Sequence, residues 1–528
     1  MGVSHCHATL SPVPDERSAP RGSVVYRSRG VVLVAGDDAS ALSAARELAR
    51  TLKVVVFAPG AEAGDLRANP VVVGGRVNSL EGRLGDFVAK AHAKEGEIDI
   101  GGFSPNSDRR FDLVLDLQAT PLLGRSVPPP GYFAPAGGEL AGALDAIRAL
   151  VGTFSKPTFF DYAQELCAHG AQGYKGCTRC LPVCGAGAIR SDGDRIAVDP
   201  HLCQGCAACT LACPTGALSF RDPSRSDLLA RLDSAIAGAA QAHALPVVVA
   251  HARAEAESVE SMLAGSNYVA LEVDPLAAFG EELWFGALAL GARGVVIVKD
   301  TEPPIETSAL FAERVALART VLAAAGLPAD AVRMVDAAGL AHALANAPPN
   351  RAIGPAGMLD PARKRGVLID ALARIESTAG FVSMPLPPGA PLGAIAVDRG
   401  KCTLCRACAN LCPTSAILYD EQPIPRLSLA EEACVQCGIC EAACPEGAIA
   451  LVPQITSAET RRNVQLLHEG DLARCPKCDA AFISARLLDV SIAKTASLMP
   501  LTPEAEKRMR LCFDCRRYAT FLDVSDGG

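Results

Sequence analysis

Sixteen cysteines fall into four groups whose spacing could hold metal clusters. Three groups follow the pattern C-x2-C-x2-C-x3-C-P, and the other is a variant of it. Two-residue gaps let a tight loop present several thiolates to one iron-sulfur cube while its amide N–H groups point at the sulfur atoms. The pattern therefore predicts electron-transfer chemistry. The groups are Cys167, Cys177, Cys180, Cys184; Cys203, Cys206, Cys209, Cys213; Cys402, Cys405, Cys408, Cys412; and Cys434, Cys437, Cys440, Cys444.

The last cysteine of each group is expected to cross to the neighbouring cluster. In a paired arrangement each loop supplies three thiolates to one cube and sends its fourth to the other. The four predicted ligand sets are Cys167, Cys177, Cys180 and Cys213; Cys203, Cys206, Cys209 and Cys184; Cys402, Cys405, Cys408 and Cys444; and Cys434, Cys437, Cys440 and Cys412.

The first group departs from the pattern at both ends. Nine residues separate Cys167 from Cys177, and Gly185 stands where the other groups have proline. The intervening segment AHGAQGYKG is long enough to double back, so Cys167 remains a predicted ligand.

The complete groups resemble those of the bacterial two-[4Fe-4S] ferredoxins, and the pair is present twice. IAVDPHLCQGCAACTLACPTGAL at 196–218 aligns with IAVDRGKCTLCRACANLCPTSAIL at 395–418. The resemblance implies two dicluster modules, at about 151–223 and 395–455, that hold four [4Fe-4S] clusters in total.

Disulfides and zinc are the alternatives for these cysteines. A chain of this length needs no disulfide staples, and no secretory signal is visible. Zinc sites typically use two separated CxxC pairs instead of four-cysteine runs that close on Cys-Pro. Iron-sulfur ligation is therefore favoured.

A separate metal site is predicted near the C-terminus. Two CxxC knuckles can enclose a tetrahedral ion, zinc more often than iron, and the alternative is a redox-active or free CxxC. The predicted ligands are Cys475, Cys478, Cys512 and Cys515, within a zinc-ribbon-like region at 456–528. Cys6, flanked by histidines in a tail predicted as disordered over 1–25, is expected to be unliganded.

Two regions that alternate apolar strands and helices are expected to position these modules. VVLVAGD at 31–37, a helix at 39–52 and further strands at 53–59 and 111–117 predict a Rossmann-like α/β domain at 26–150. Only Gly36 lies at its first strand-helix turn, followed by Asp37 and Asp38, so the glycine fingerprint of a dinucleotide site is incomplete.

A second α/β domain is predicted at 224–350, followed by a linker at 351–394. An apolar strand follows a helix that ends in ALGARG, and LPADAVRMVDA follows a later helix. This pattern resembles that of the small subunit that links hydrogenase to heterodisulfide reductase. No cysteine lies between Cys213 and Cys402, so a thiolate-bound cluster cannot form there and the domain is expected to be a scaffold. The overall prediction is an α+β chain that combines two ferredoxin-like modules, two small parallel-sheet domains and a knuckle.

Composition excludes several functional classes. A net charge of −8 gives no indication of nucleic-acid binding, and the most apolar stretch, 283–298, is too short to span a membrane and contains Arg293. No catalytic motif such as a P-loop or nucleophile elbow is present. A reducing, cytoplasmic location is expected.

The order of the predicted domains is similar to that of large multi-cluster proteins found beside bacterial cytoplasmic formate dehydrogenases. FFDYAQELCAHGAQGYKGCTRC and SDGDRIAVDPHLCQGC carry this resemblance. It implies a non-catalytic relay of single electrons between a dehydrogenase and a downstream carrier. An iron-sulfur oxidoreductase subunit with its own flavin or nicotinamide site is the alternative, and an interaction module with structural clusters is a third hypothesis.

Overall fold

A computed structural model describes most of the chain. The described residues are 9–36, 39–61, 64–93, 96–135, 139–241, 245–263, 268–299, 303–346 and 359–518. Cys6, Asp37 and Asp38 lie outside these ranges, so the predictions about them stay predictions.

A five-stranded parallel sheet separates two apolar cores in the N-terminal region. Its central strand, Val31–Gly36, is buried along its whole length because both of its faces are packed. The strand order is β10-β9-β3-β4-β5, so the predicted parallel sheet is present. The elements of this region are β1 (Ser11–Pro12), β2 (Ser23–Ser28), β3 (Val31–Gly36), α1 (Ala39–Leu48), β4 (Lys53–Ala58), β5 (Val71–Gly74), β6 (Arg76–Glu81), β7 (Val88–Ala93), β8 (Gly96–Asp99), β9 (Leu113–Leu117), β10 (Tyr132–Phe133), α2 (Leu140–Ala149) and β11 (Gly152–Pro157).

The segment predicted as a disordered tail is partly structured. Strands β1 and β2 both pair antiparallel with β11, in a separate three-stranded sheet. The prediction of disorder is therefore corrected for these strand residues, and β11 joins the N-terminal region instead of opening the first cysteine module. The hydrogen-bonding partner lies more than 120 residues downstream, where no local sequence pattern reveals it.

The first cysteine module joins its two ends in an antiparallel pair and closes a hairpin between its motifs. Strand Phe160–Tyr162 pairs with Leu218–Phe220, and Ile189–Asp192 pairs with Arg195–Val198. The elements are β12 (Phe160–Tyr162), β13 (Gly170–Ala171), β14 (Tyr174–Lys175), β15 (Ile189–Asp192), β16 (Arg195–Val198), α3 (Ala208–Ala212) and β17 (Leu218–Phe220).

The second α/β region contains a four-stranded parallel sheet in the order β19-β18-β20-β21. Its helix Glu281–Ala289 is buried on every side, because the sheet and other helices enclose it. The elements are α4 (Arg225–Gln241), β18 (Val247–His251), α5 (Ala256–Leu263), β19 (Tyr268–Glu272), α6 (Glu281–Ala289), β20 (Gly294–Val298), α7 (Ile305–Ala324), β21 (Val332–Val335), α8 (Leu340–Ala345) and α9 (Lys364–Ala379).

Helix α9 corrects the predicted linker. Val367, Ala371 and Ile375 recur at four-residue intervals and are buried in the core that also contains Trp284 of α6. The proline- and glycine-rich sequence after the helix favoured a linker, and the predicted linker wrongly included the residues of the helix. This amphipathic helix packs on the second α/β region.

The second cysteine module repeats the arrangement of the first, and the C-terminal region follows it. Strands β23 and β26 join its ends, β24 and β25 form its hairpin, and β27 extends the hairpin. Among the described residues, no helix combines the length and apolar character needed to cross a membrane. The elements are β22 (Met384–Pro385), β23 (Gly393–Val397), α10 (Ala407–Asn410), β24 (Ile417–Asp420), β25 (Arg426–Ala430), α11 (Ile439–Ala442), β26 (Ile449–Ile455), α12 (Ala458–Arg462), β27 (Val464–Glu469), β28 (Leu472–Arg474), β29 (Ala481–Ser484), α13 (Ala485–Leu498) and α14 (Pro503–Met509).

Candidate metal centres

The three complete cysteine motifs share one backbone conformation. In each, the residues immediately before and after the second cysteine have positive φ angles, which lets the chain turn tightly between successive thiols. Most of these residues carry a side chain, for which the left-handed conformation is unfavourable, so the surrounding fold must hold them. The residues are Gly205 (77°) and Ala207 (58°), Leu404 (56°) and Arg406 (58°), and Gln436 (53°) and Gly438 (87°).

The sixteen cysteines surround four cavities. All sixteen are buried or half-buried, and each cavity is lined by three cysteines of one motif and the last cysteine of its partner motif. The groups that the structure brings together are Cys167, Cys177, Cys180 and Cys213; Cys184, Cys203, Cys206 and Cys209; Cys402, Cys405, Cys408 and Cys444; and Cys412, Cys434, Cys437 and Cys440.

Backbone amides donate hydrogen bonds to the crossing cysteines. The amide four residues after the last cysteine of a motif lies 3.2 Å from Sγ of Cys184 and of Cys412, and 3.3 Å from Sγ of Cys444. Such donors stabilise thiolates and tune the potential of a cluster that they hold. The donor set therefore fits a thiolate-bound iron-sulfur group.

Burial makes these thiols reluctant to ionise by themselves. Burial, together with the neighbouring cysteines, raises the pKa of Cys180 and of Cys408 to about 12 and that of Cys437 to about 11. Thiolates must form before they can bind metal. A positively charged metal centre in the cavity would offset the cost of placing four thiolates together.

The variant motif brings Cys167 into its cavity by folding the inserted segment into a hairpin. Strands β13 and β14 pair, and the Cys177 amide donates to the Ala168 carbonyl at 2.8 Å. His169 is buried beneath the hairpin, with Nε2 2.7 Å from Ser191 Oγ. Burial raises the pKa of Cys167, while a hydrogen bond with the Tyr162 hydroxyl acts in the opposite direction.

The C-terminal cysteines also converge. One sulfur atom from each of Cys475, Cys478, Cys512 and Cys515 lies within 4.8 Å of the others, as a tetrahedral ion requires. Although burial opposes it, backbone hydrogen bonds from the Cys512, Lys477 and Cys478 amides lower the pKa of Cys475 to about 6. A hydrogen bond with Cys478, together with burial, raises the pKa of Cys515 to about 12.

Gly36 in the N-terminal sheet has a packing role. A Cβ atom there would lie 2.3 Å from Cβ of Ala41, so glycine allows helix α1 to approach the end of β3. This contact explains the glycine without a bound nucleotide.

Three basic residues beside the cysteine loops were missed by the sequence analysis. Lys156 is buried, and its ammonium donates to the carbonyls of His201 (2.7 Å) and Cys203 (2.6 Å). Arg179 and Arg365 donate to several carbonyls near Cys177 and Cys434. The position of Arg179 between two predicted ligands, Cys177 and Cys180, could have indicated its role, whereas Lys156 and Arg365 lie outside the cysteine motifs.

Comparisons with known families identify the two cysteine regions. A model of the 4Fe-4S dicluster domain matches residues 401–448, and a model of the 4Fe-4S binding domain matches residues 195–218. No curated protein matches the chain. The prediction of ferredoxin-type iron-sulfur domains is confirmed, and these domains indicate an iron-sulfur electron-transfer protein.

Proposed function

We propose that this chain relays single electrons through four [4Fe-4S] clusters and carries one structural zinc ion. The observation that carries the proposal is the set of four cavities, each lined by four cysteines drawn from two loops. When bound, each cluster supplies a one-electron redox centre whose potential depends on its surroundings.

The protein residues hold the clusters and adjust their surroundings. Thiolates provide the ligands, backbone amides donate to the crossing cysteines, and apolar side chains such as Leu427 and Ile449 limit access of water. The cations beside the loops favour the more negative, reduced state of a nearby centre. No side chain has to transfer a proton for this function.

The proposed electron donor is a dehydrogenase, with formate dehydrogenase as the first candidate. The resemblance in domain order to multi-cluster proteins found beside such enzymes supports this partner. Native co-purification from the source organism tests it, because the partner that is retained identifies donor and acceptor together. Capture of no dehydrogenase under anaerobic conditions would reject this part of the proposal.

Metal content tests the number of centres. Anaerobic reconstitution of the full chain should give about sixteen iron atoms, four for each cube, and about one zinc ion. Eight irons or fewer would contradict four clusters. A flavin absorbance in the purified protein would favour an oxidoreductase subunit instead.

Serine variants test the crossed ligation. Cys444→Ser should alter the same electron paramagnetic resonance (EPR) signal as Cys402→Ser, because both cysteines line one cavity. Cys440→Ser should alter the signal of the other cluster in this module. Cys6→Ser is the control and should retain all of the iron. If Cys444→Ser instead reproduces the effect of Cys434→Ser, the ligation is not crossed.

A further inference from the structure

The segment inserted between Cys167 and Cys177 contacts the second cysteine module. Strand β14 packs against helix α11, and Ala171 lies against an apolar group formed by Leu411, Ile439 and Ala443. A Cβ atom at Gly176 would lie 2.6 Å from Cγ1 of Ile439, so only glycine permits this approach. The insertion that makes the first motif irregular is therefore also a contact surface between the modules.

Arg179 connects the two modules beside Cys177. Its Nη1 atom lies 3.6 Å from Cys177 Sγ and donates to the Val435 carbonyl at 3.1 Å. Its Nη2 atom donates to the Gln436 carbonyl at 3.2 Å and to the Gly389 carbonyl at 3.1 Å. One guanidinium thus contacts a sulfur atom of the first module and the loop that holds Cys437 in the second.

Arg365 of helix α9 also donates hydrogen bonds to this loop. Its guanidinium donates to the carbonyls of Cys434 and Pro391, both at 2.7 Å, and to that of Glu432 at 2.8 Å. Burial lowers the pKa of Arg365 to about 10, so the side chain remains charged at neutral pH. The planar, forked guanidinium suits several carbonyl acceptors at once, which a lysine cannot reproduce.

The cysteine groups therefore lie one after another through the molecule. Cys180 and Cys209 pack in one apolar core of the first module, and Cys408 and Cys440 share one core of the second. Between the modules, Cys437 packs against the same apolar group as Ala171 of the insertion, and Arg179 joins Cys177 to the loop of Cys437. The order is the Cys203 group, the Cys167 group, the Cys434 group and the Cys402 group.

We propose that the modules exchange electrons at the junction of Cys177 and Cys437, and that Arg179 is the positioning residue of this junction. The inference rests on the proposed function. One electron leaves the centre on one side as the other side gains it, and no bond forms or breaks. A dehydrogenase cofactor serves as the external one-electron donor. The Arg179 charge favours the reduced state on both sides, and its hydrogen bonds fix their separation.

Redox titration of reconstituted full-length Arg179→Gln, monitored by EPR, tests the junction. Dithionite is the reductant. Loss of the positive charge should move the midpoint potentials of the Cys167 and Cys434 groups to more negative values and weaken their magnetic interaction. The Cys203 and Cys402 groups should keep their potentials. Arg179→Lys should restore the potentials, because the charge is kept, but not the full interaction, because the fork is lost.

Arg190→Gln is the matched control. Arg190 belongs to the same module, is 73% exposed and lies 3.8 Å from Asp192, so its loss should leave all four potentials unchanged. The junction is rejected if Arg179→Gln leaves the Cys167 and Cys434 groups unchanged, or if it moves all four groups equally.

Iron content separates this inference from the proposed function. The junction alone is rejected if the wild type holds sixteen irons and Arg179→Gln has unchanged potentials. The proposal of four clusters is rejected if the wild type holds only eight irons. If Arg179→Gln does not retain iron, Arg179→Lys is the deciding variant. A magnetic interaction of wild-type strength in Arg179→Lys would show that Arg179 does not position the junction.

Discussion

Hydrogen bonds to individual sulfur atoms differ among the four cysteine groups. A backbone amide four residues downstream contacts Cys184, Cys412 and Cys444, so this donor comes from the fold of the motif and not from a particular side chain. Cys167 is held differently, because the Tyr162 hydroxyl bonds to it. The irregular motif thus receives support from a side chain in the preceding strand.

Tyr162→Phe should change the potential of one centre without loss of iron. The variant removes the hydroxyl that bonds to Cys167, and fewer hydrogen bonds to sulfur disfavour the reduced state. EPR-monitored redox titration should therefore give a more negative midpoint potential for the Cys167 group alone.

Tyr419→Phe is the control for this variant. The Tyr419 ring packs against the cysteine core of the second module, and burial is the main cause that raises its pKa. We expect all four potentials to stay unchanged in this control. An unchanged Cys167 group in Tyr162→Phe would show that the hydroxyl has no influence on that centre.

At the scale of elements, helix α9 attaches the second α/β region to both cysteine modules. Lys364 at its start is buried and donates to the carbonyls of Thr210 (2.7 Å) and Leu211 (3.0 Å) near the end of helix α3. Its Nζ atom also lies 3.7 Å from a carboxylate oxygen of Glu282, whose pKa is raised chiefly by burial. Arg365, the next residue, binds the loop that contains Cys434. The sequence predicted a linker here, whereas the helix joins three parts of the molecule.

Lys364→Met should destabilise the iron-loaded chain by about 3–5 kcal/mol, because it leaves Glu282 and two carbonyls buried without their cation. The double variant Lys364→Met, Glu282→Gln should recover part of this loss. Denaturant unfolding under anaerobic conditions, followed by cluster absorbance, measures both effects.

Lys401→Met removes an exposed ion pair with Asp398 at 3.4 Å and should leave the free energy of unfolding nearly unchanged, because water screens such pairs. Equal losses in Lys364→Met and in this control would contradict a structural role for the buried pair. The pairing of these two charges could not be predicted from the sequence, since Glu282 and Lys364 lie 82 positions apart.

At the scale of the whole molecule, the C-terminal cysteines enclose a site that is separate from the four cavities. Two of its cysteines follow strand β28, and the other two follow helix α14, so a bound ion would join the two ends of this region. Helix α13 is also attached to the second module, because Lys494 Nζ lies 2.6 Å from Glu446. Glu446 lines the cavity of the Cys402 group.

Cys478→Ser should release zinc while all of the iron is retained. With three thiolates left, the ion is held weakly and the segment after helix α13 should become accessible to protease. Elemental analysis and limited proteolysis measure the two effects, and Cys6→Ser should resemble the wild type in both. Wild-type protein without zinc but with a reducible Cys475–Cys478 disulfide would favour the redox-active alternative.

The sequence by itself determined the chemistry of the cysteine groups. Two-residue spacing and the closing Cys-Pro are local properties, and the same local backbone forms in each complete motif. Apolar strands such as Val31–Gly36 also revealed the parallel sheets, because burial on both faces requires a continuous apolar run.

Only the tertiary structure decided how the modules meet. The hairpin at Gly170–Lys175 packs against helix α11 of the second module, and Arg179 donates to the carbonyl of Gln436, 257 positions away. Arg365 and the course of helix α9 likewise depend on residues distant in the sequence. A backbone carbonyl accepts a hydrogen bond whatever side chain its residue carries. The identity of the accepting residues therefore does not reveal these contacts in the sequence. The ligand chemistry could therefore be read from local spacing, whereas the order of the cysteine groups could not.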